Sequence, residues 1–363
     1  MNKKVTITIT NRCNLNCTYC YEAYKTNDSM SSETAKAIIL KEFSKISEDD
    51  TLLIDFMGGE PFLNFELIKE VVEFFENSEY SNRISYFVST NGTLVKGIVK
   101  DWLISHKHLI TCGLSLDGDR DSQNRNRSNS FNDIDIELFQ KTWPEASIKM
   151  TVSPYSLKNL AHDVKFLHSF GFKIMNNFAF GVNWFKDEFC DILKNQLEEL
   201  VIYYLDNPSI VPCQMLNLDI GRLAYRDKVN KVASCGAGTL MTVYDVFANN
   251  YPCHFFQPLS IGEKKSELSK LIEFNNISNL IDKKCETCNI YSICKTCYGS
   301  NFNATGDPRK RDLSLCSFTK LSAYYTAVLC LEKIKKYGIE NLGWDEIKQT
   351  EICNGIEDIY SNL

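Results

Sequence analysis

Three cysteines, Cys13, Cys17 and Cys20, crowd into the stretch TNRCNLNCTYCYE at residues 10–22. A thiolate is a nucleophile or a soft metal ligand, and three this close in one loop are placed to wrap a single centre. A structural zinc site takes a fourth protein ligand, and no neighbouring His or Cys offers one. On a [4Fe-4S] cube, three thiolates leave one iron without a protein ligand, open to a chelating small molecule. Further on, GGEP at 58–61 supplies glycines that let the backbone approach such a molecule, and Glu60 can accept a hydrogen bond from an ammonium group. Together these residues read as a site for a cofactor with an amino-acid end. Taken singly, GGEP and the STNGT stretch at 89–93 read as turns.

The C-terminal third carries a second set: Cys235, Cys253, Cys285, Cys288, Cys294, Cys297 and Cys316. At its centre CETCNIYSICKTC has the spacing Cys-x2-Cys-x5-Cys-x2-Cys. Paired knuckles of a zinc ribbon stand about 15–20 residues apart. Five residues separate them here, so auxiliary iron-sulfur clusters explain the run better. Cys112, Cys190, Cys213, Cys330 and Cys353 remain unassigned; Cys213 is the candidate spare ligand, and most of the five read as ordinary buried thiols.

These groups need a scaffold. The chain has 363 residues, 44% of them hydrophobic, enough for one sizeable domain and a smaller one. Its formal charge is −6 without a sustained basic run, which points away from nucleic acid and anionic membranes. The N-terminal MNKKVTITIT enters an alternating strand pattern with no signal-peptide core, and no stretch approaches the roughly 18 apolar residues of a membrane span. The cytoplasm is the expected location, where fifteen cysteines are not a disulfide framework. Expected strands at 5–10, 52–58, 84–90, 110–116, 148–153 and 177–182 alternate with helical periods at 31–46, 65–78, 157–171 and 185–205. Six βα units are too few for a complete eight-stranded barrel and fit a partial barrel or an open doubly wound sheet. The cysteine loop, GGEP, STNGT, SLDG (115–118) and SPYSLKN (153–159) each follow a strand, so the signals collect at strand C-terminal ends, where barrel folds build their active sites.

Cys-x3-Cys-x2-Cys with Tyr19 before the last cysteine, followed by GGEP on the next strand, resembles the signature of the radical S-adenosylmethionine (radical SAM) superfamily. The resemblance implies an α/β fold: a partial (β/α)6 TIM barrel in which SAM chelates the open iron and is cleaved to a 5′-deoxyadenosyl radical. By position, Cys13, Cys17 and Cys20 would be cluster ligands, the Tyr19 backbone would lie near adenine, and Gly58, Gly59 and Glu60 would meet the methionine end. Ser89, Asn91, Ser115 and Asp117 would be contacts to the ribose or sulfonium region. The seven later cysteines resemble the SPASM extension, which carries two auxiliary [4Fe-4S] clusters. Cys285, Cys288, Cys294 and Cys316 would then complete one, and Cys235, Cys253 and Cys297 would hold the other. Two departures stand out: two residues rather than three precede Cys297, and Ala248 replaces a glycine common five residues before Cys253.

The implied domains are 1–210 (barrel), 211–318 (auxiliary clusters) and 319–363 (a helical segment packed on the cluster domain). SCGAG (234–238), YPCH (251–254) and CYGSNFNATGD (297–307) look most like maturases of ribosomally made peptides that form cysteine thioethers. The implied partners are a cysteine-containing precursor peptide and a flavodoxin or ferredoxin donor. The rival is an anaerobic sulfatase maturase oxidising Cys or Ser to formylglycine; its aspartate base is His254 here, the candidate catalytic residue. Epimerisation and C–C crosslinking are further alternatives, and an iron-sulfur electron carrier or scaffold is the non-enzyme reading, disfavoured by the SAM-binding face. About four residues precede the first strand, so no N-terminal leader-binding domain is expected. The polar stretch 117–130 is read as a solvated loop that begins at the active mouth.

Overall fold

The computed structural model describes residues 2–225, 235–274 and 277–363. Ser234, the first residue of SCGAG, lies outside them. The chain divides into two compact units, one of Met1–Leu116, Gln123–Ile148 and Val232–Ile277, the other of Asp117–Ser122, Lys149–Lys231 and Ser278–Leu363.

The strands are β1 (Asn2–Thr10), β2 (Thr51–Gly58), β3 (Ile84–Thr90), β4 (Ile110–Leu114), β5 (Ser147–Val152), β6 (Lys173–Phe178), β7 (Met241–Tyr244) and β8 (Asn250–Tyr251). The principal helices up to residue 206 are α1 (Ser32–Phe43), α2 (Phe65–Glu76), α3 (Ile98–Ser105), α4 (Arg120–Asn126), α5 (Ile136–Thr142), α6 (Leu160–Ser169) and α7 (Asp187–Asp206). In the first unit six strands form one sheet in the order β4-β3-β2-β1-β7-β8, parallel except at the β7–β8 hairpin. Val5, Ile7 and Ile9 on one face of β1 and Thr6, Thr8 and Thr10 on the other are all buried, the signature of a central parallel strand covered on both sides. The crossover helices follow ordinary chemistry. Ser31 caps α1 by accepting from Thr34 N, and α2 turns Leu67, Ile68, Val71, Val72 and Phe75 inward at helical spacing. Buried Glu42 on α1 ties the neighbouring strands β1 and β7 together. It accepts from Lys3 (2.6 Å) and Lys45 (2.5 Å), and from the hydroxyl of Tyr244 on β7 (2.5 Å).

The structure corrects the expectation of six strands in one series. The first four share a sheet, whereas β5 and β6 pair with each other in a separate two-stranded sheet. β6 begins four residues before the expected start at 177, because its second inward position is the polar Asn176 and the apolar pattern starts late. β7, only four residues long, was hidden from periodicity and supplies β1's second neighbour. The polar stretch 117–130 is not a solvated loop either: it contains α4, and Gln123 and Asn126 are fully buried.

In the second unit the helices Cys316–Tyr337 and Glu346–Asn362 enclose Ile220, Leu223, Ile290, Ile293, Ala323, Ala327, Ile352, Ile356 and Ile359. Ile290 and Ile293 lie between Cys288 and Cys294, so the cysteine run is anchored by apolar residues inside it. Among the described residues no helix is long and apolar enough to cross a membrane.

Candidate functional site

The cysteine loop leaves β1 at Thr10 and returns to it. Asn11 N donates to Asp28 O (2.9 Å), Met30 N to Ile9 O (2.8 Å), and the Thr10 and Ser29 hydroxyls meet at 2.8 Å. The Asn64 side chain straddles this neck, donating to Ile9 O and Met30 O at 3.1 Å each. Within the loop, Cys20 N donates to Cys17 O (3.2 Å) and Lys25 Nζ to Leu15 O (3.2 Å). The three thiols are half-buried, and burial pushes the Cys13 thiol up to about 11, with the neighbouring Cys17 adding to the rise. A cationic cluster relieves that penalty by binding the thiolate form.

GGEP lies directly against this loop. Gly59 N donates to Thr10 O (3.0 Å) and Glu60 N to Arg12 O (2.8 Å). A methyl group on Gly59 would overlap the Arg12 carbonyl and stand 3.0 Å from the Cys13 Cβ, so glycine here is a matter of close approach rather than of φ. Glu60 is buried, and its carboxylate accepts from Thr90 Oγ1 (2.7 Å), Asn91 N (2.8 Å) and Phe62 N (3.2 Å). Desolvation outweighs these donors and raises its carboxyl to about 7. Most of its acceptor capacity is spent inside the chain, so Glu60 clips the end of β2 to that of β3.

Asn91 is engaged in the same way. Its Nδ2 donates to Asn14 Oδ1 (2.9 Å), while Asn14 donates back to Thr93 Oγ1 (2.8 Å), lacing the cysteine loop to the turn after β3. Ser89 is half-buried, and Ser115 N donates to Thr90 O (2.9 Å). Sequence reasoning missed the cover supplied by α4 and the turn after it. Asn126 O accepts from Thr18 N (2.9 Å), Ser128 Oγ from Asn16 N (2.8 Å), and the Arg127 guanidinium sits 5.4 Å from the centre of the Tyr19 ring. The unbroken run of twelve polar residues at 119–130 gave no signal that part of it would be buried.

Cys253 and His254 belong to this first unit as well. Tyr21, next to Cys20, stacks on Phe255 at 4.4 Å, and its ring centre is 5.5 Å from that of His254. Cys253 is buried, and its sulfur accepts from Phe255 N at 3.3 Å; Cys235 is exposed. Ala248, at the tip of the β7–β8 hairpin, has φ 64°, the left-handed region that favours glycine. The Asp245 carboxylate holds this tip by accepting from Phe247 N (2.9 Å) and Asn249 N (2.8 Å).

In the second unit Asp117 is fully buried and its Oδ1 accepts from Thr151 N (2.9 Å), so it fixes the residues after β4. Asp163, which the sequence did not reveal, holds the same segment from α6, accepting from Asp119 N (3.0 Å) and Ser122 Oγ (2.6 Å). Burial raises its carboxyl to about 7. A folded-state value above the unfolded one means that the native state binds this proton more tightly; the associated stability is present below about pH 4 and lost as pH climbs through 7. Asn can keep both contacts, since Nδ2 can donate to the Ser122 hydroxyl. Asp163→Asn is therefore expected to match the wild type near pH 4 and to exceed its stability at pH 8 by about 1–3 kcal/mol. Urea denaturation at the two pH values measures this, and equal differences at both would sink it.

Cys285, Cys288, Cys294 and Cys316 gather in this unit. Cys285 lies in the field of Cys294 and Cys316, and Cys294 in that of Cys316 and Cys288. Cys297 caps the helix Tyr298–Thr305, its sulfur accepting from Ser300 N at 3.5 Å. Among the described residues no three His, Cys, Asp or Glu side chains are drawn together around the position of a single ion. Cys285, Cys288, Cys294 and Cys316, all thiols lying in one another's fields, suit a cube in which each thiol takes a separate iron. A cavity of about 140 Å³ in this unit is lined by Cys297, Arg311, Asn176 and Gln214 among others. Asn176 Oδ1 accepts from Met215 N (3.0 Å), the Asn176 side chain also meets the Cys213 thiol, and Gln214 Oε1 is buried without a partner in the chain.

Residues 7–135 match the family described as the radical SAM superfamily. The radical SAM cyclopropyl synthase TigE of Paramaledivibacter caminithermalis is 24% identical, with 88% of this chain and 72% of that protein covered. The cysteine-type anaerobic sulfatase-maturating enzyme of Clostridium novyi is also 24% identical, with 78% and 84% covered. The solved structure of native anSMEcpe with bound AdoMet superposes with a TM-score of 0.72 at 19% identity, over 92% of this chain and 99% of that one. The chain spans between 39% and 84% of the lengths of the first three curated relatives it matches.

Proposed function

Because residues 7–135 of this chain are a radical SAM domain, we propose that the protein is a peptide maturase that uses a 5′-deoxyadenosyl radical to modify a ribosomally made precursor, forming a cysteine thioether. The observation that carries the reading is the cysteine loop stitched at its neck to β1 and packed under Gly58 and Gly59 at the end of the adjacent parallel strand. When bound, SAM and its cluster supply the radical. The chain's own contribution is placement. Cys13, Cys17 and Cys20 would hold three irons of the cluster and leave the fourth open to SAM, Gly59 and Glu60 fix the loop, and the Asn14–Asn91 pair and Arg127 brace it from β3 and from the turn after α4.

The wider assignment follows from the same reading. Residues 1–210 form the barrel, 211–318 the auxiliary-cluster domain and 319–363 a helical segment. Cys285, Cys288, Cys294 and Cys316 hold one auxiliary cluster; Cys235, Cys253 and Cys297 contribute to a second. A cytoplasmic flavodoxin or ferredoxin supplies electrons.

Formylglycine formation is the second reading, favoured by the coverage of the sulfatase-maturating relative. Against it, the position of the aspartate base is His254, whose ring packs among Tyr21 and Phe255. The deciding experiment is anaerobic. Reconstituted enzyme, SAM, dithionite and the cysteine-bearing peptide encoded beside the gene are incubated together, then peptide and nucleoside are weighed. Loss of two hydrogens with the cysteine no longer alkylated supports the thioether; loss of the sulfur supports formylglycine. Deoxyadenosine with unaltered peptide mass counts against both products, and incubation in deuterium oxide then reveals epimerisation.

A further inference from the structure

Arg311 lies among the auxiliary cysteines of the second unit. Its Nη2 donates to Cys294 Sγ at 3.1 Å, and its guanidinium also interacts with Cys316 and Cys285. The side chain is partly buried, so its desolvation has to be balanced by opposite charge nearby. The Asp282 carboxylate lies in its field, and the atom its guanidinium hydrogen-bonds is a cysteine sulfur.

The backbone around it belongs to the framework that spaces those sulfurs. Arg311 N donates to Asp282 Oδ2 at 2.7 Å, while Asp282 Oδ1 accepts from Lys284 N at 2.9 Å and caps the short helix Lys283–Glu286 that carries Cys285. Asp312 N donates to Asn301 Oδ1 (3.0 Å), and the Asp312 carboxylate accepts from Ser314 N (3.1 Å) in the turn that leads into Cys316. Asn301 is itself fixed, donating to Thr296 Oγ1 and Pro308 O. The arginine is thus placed by the same hydrogen bonds that place Cys285 and Cys316, and its charge is held at the sulfurs.

We propose that Arg311 sets the reduction potential of the auxiliary iron-sulfur centre held by Cys285, Cys288, Cys294 and Cys316, by donating a charge-assisted hydrogen bond to the Cys294 sulfur. The inference rests on the cluster assignment made above. One-electron reduction of such a centre adds one negative charge and neither makes nor breaks a bond; dithionite or the donor protein is oxidised in exchange. A fixed positive charge at a ligand sulfur favours the reduced form more than the oxidised form, and so raises the potential. Arg311 is a positioning residue here: it touches a cluster ligand and not the substrate.

The test uses the full chain, reconstituted anaerobically, with iron counted and reduced clusters followed by electron paramagnetic resonance through a dithionite titration. Added SAM perturbs the signal of the Cys13–Cys17–Cys20 cluster and so separates it from the auxiliary signals. Arg311→Gln is expected to load as much iron as the wild type and to shift the auxiliary midpoint downward, with the reduced fraction falling about tenfold for each 59 mV. Arg311→Lys, which keeps the charge but not the planar fork, is expected to fall between the two. An unchanged midpoint in Arg311→Gln overturns the proposal, and so does loss of the auxiliary iron in that variant, which would make Arg311 a purely structural residue. Wild-type protein that loads only the SAM-perturbed cluster overturns the cluster assignment itself.

Discussion

Alanine at Cys13, Cys17 or Cys20 lowers deoxyadenosine formation by more than about 100-fold, beyond the loss expected from removing an outer-shell partner of a metal ligand. It also lowers bound iron by about four atoms per chain, one cube's worth, and leaves the auxiliary iron in place. The fold survives because the loop is closed at its neck, through Asn11–Asp28, Thr10–Ser29 and the Asn64 side chain, none of which involves a thiol. The substitution therefore removes a ligand from a loop that is already shaped. Nucleoside chromatography and an iron assay on the same preparation measure both quantities. Deoxyadenosine at the wild-type rate from Cys17→Ala would remove the basis for placing the SAM cluster in this loop.

Gly59→Ala has the next largest effect, although it changes no ligand. The added methyl group meets backbone, the Arg12 carbonyl, which cannot swing aside as a side chain would. The chain relieves the overlap by moving the end of β2 away from the cysteine loop, at the cost of the Glu60 N to Arg12 O hydrogen bond. Overpacking of this kind destabilises by about 1–3 kcal/mol. A shift of about 1 Å at a reacting centre slows it by about 100-fold, so SAM cleavage is expected to fall by that order. Asn14→Ala serves as the comparison: it removes two side-chain ties of the same loop without any overlap and is expected to be milder. Thermal melting and the deoxyadenosine rate read the two variants. An equal loss in both would mean that lacing rather than close approach governs the loop.

The sequence revealed most where a residue's chemistry and its spacing repeat a known physical need. The β3 strand at 84–90 was legible to the residue, and the helices near 31–46, 65–78, 157–171 and 185–205 were found at α1, α2, α6 and α7, because burying one face imposes periodicity. The cysteines announced themselves by type. What stayed hidden was held by polar atoms: α4 with its buried Gln123 and Asn126, Asp163 behind the turn after β4, Arg311 among the sulfurs, and β6 with Asn176 turned inward. Polar residues ordinarily mark surface, and only the hydrogen bonds that satisfy them reveal otherwise. The hydrogen bonds that Glu60 makes inside the chain were hidden for the same reason. Its burial is visible only once Thr90, Asn91 and Phe62 are seen to fill it.

The parallel pairing of β7 with β1 also governs how the chain reaches this structure. β1 finds its first neighbour at residues 51–58, but its second at residues 241–244. At about 5–20 residues per second, ribosomal synthesis leaves that edge of β1 unpaired for about 10–40 s after β2 has emerged. An open edge of alternating Thr, Val and Ile is a template for pairing with other chains, and long-range closure of this kind is slow. Lys3 and Lys4 at the start of β1 place charge on that edge during the interval, as edge strands that resist association do. The nascent chain therefore presents its cysteine loop, neck already closable, well before the sheet behind it is complete.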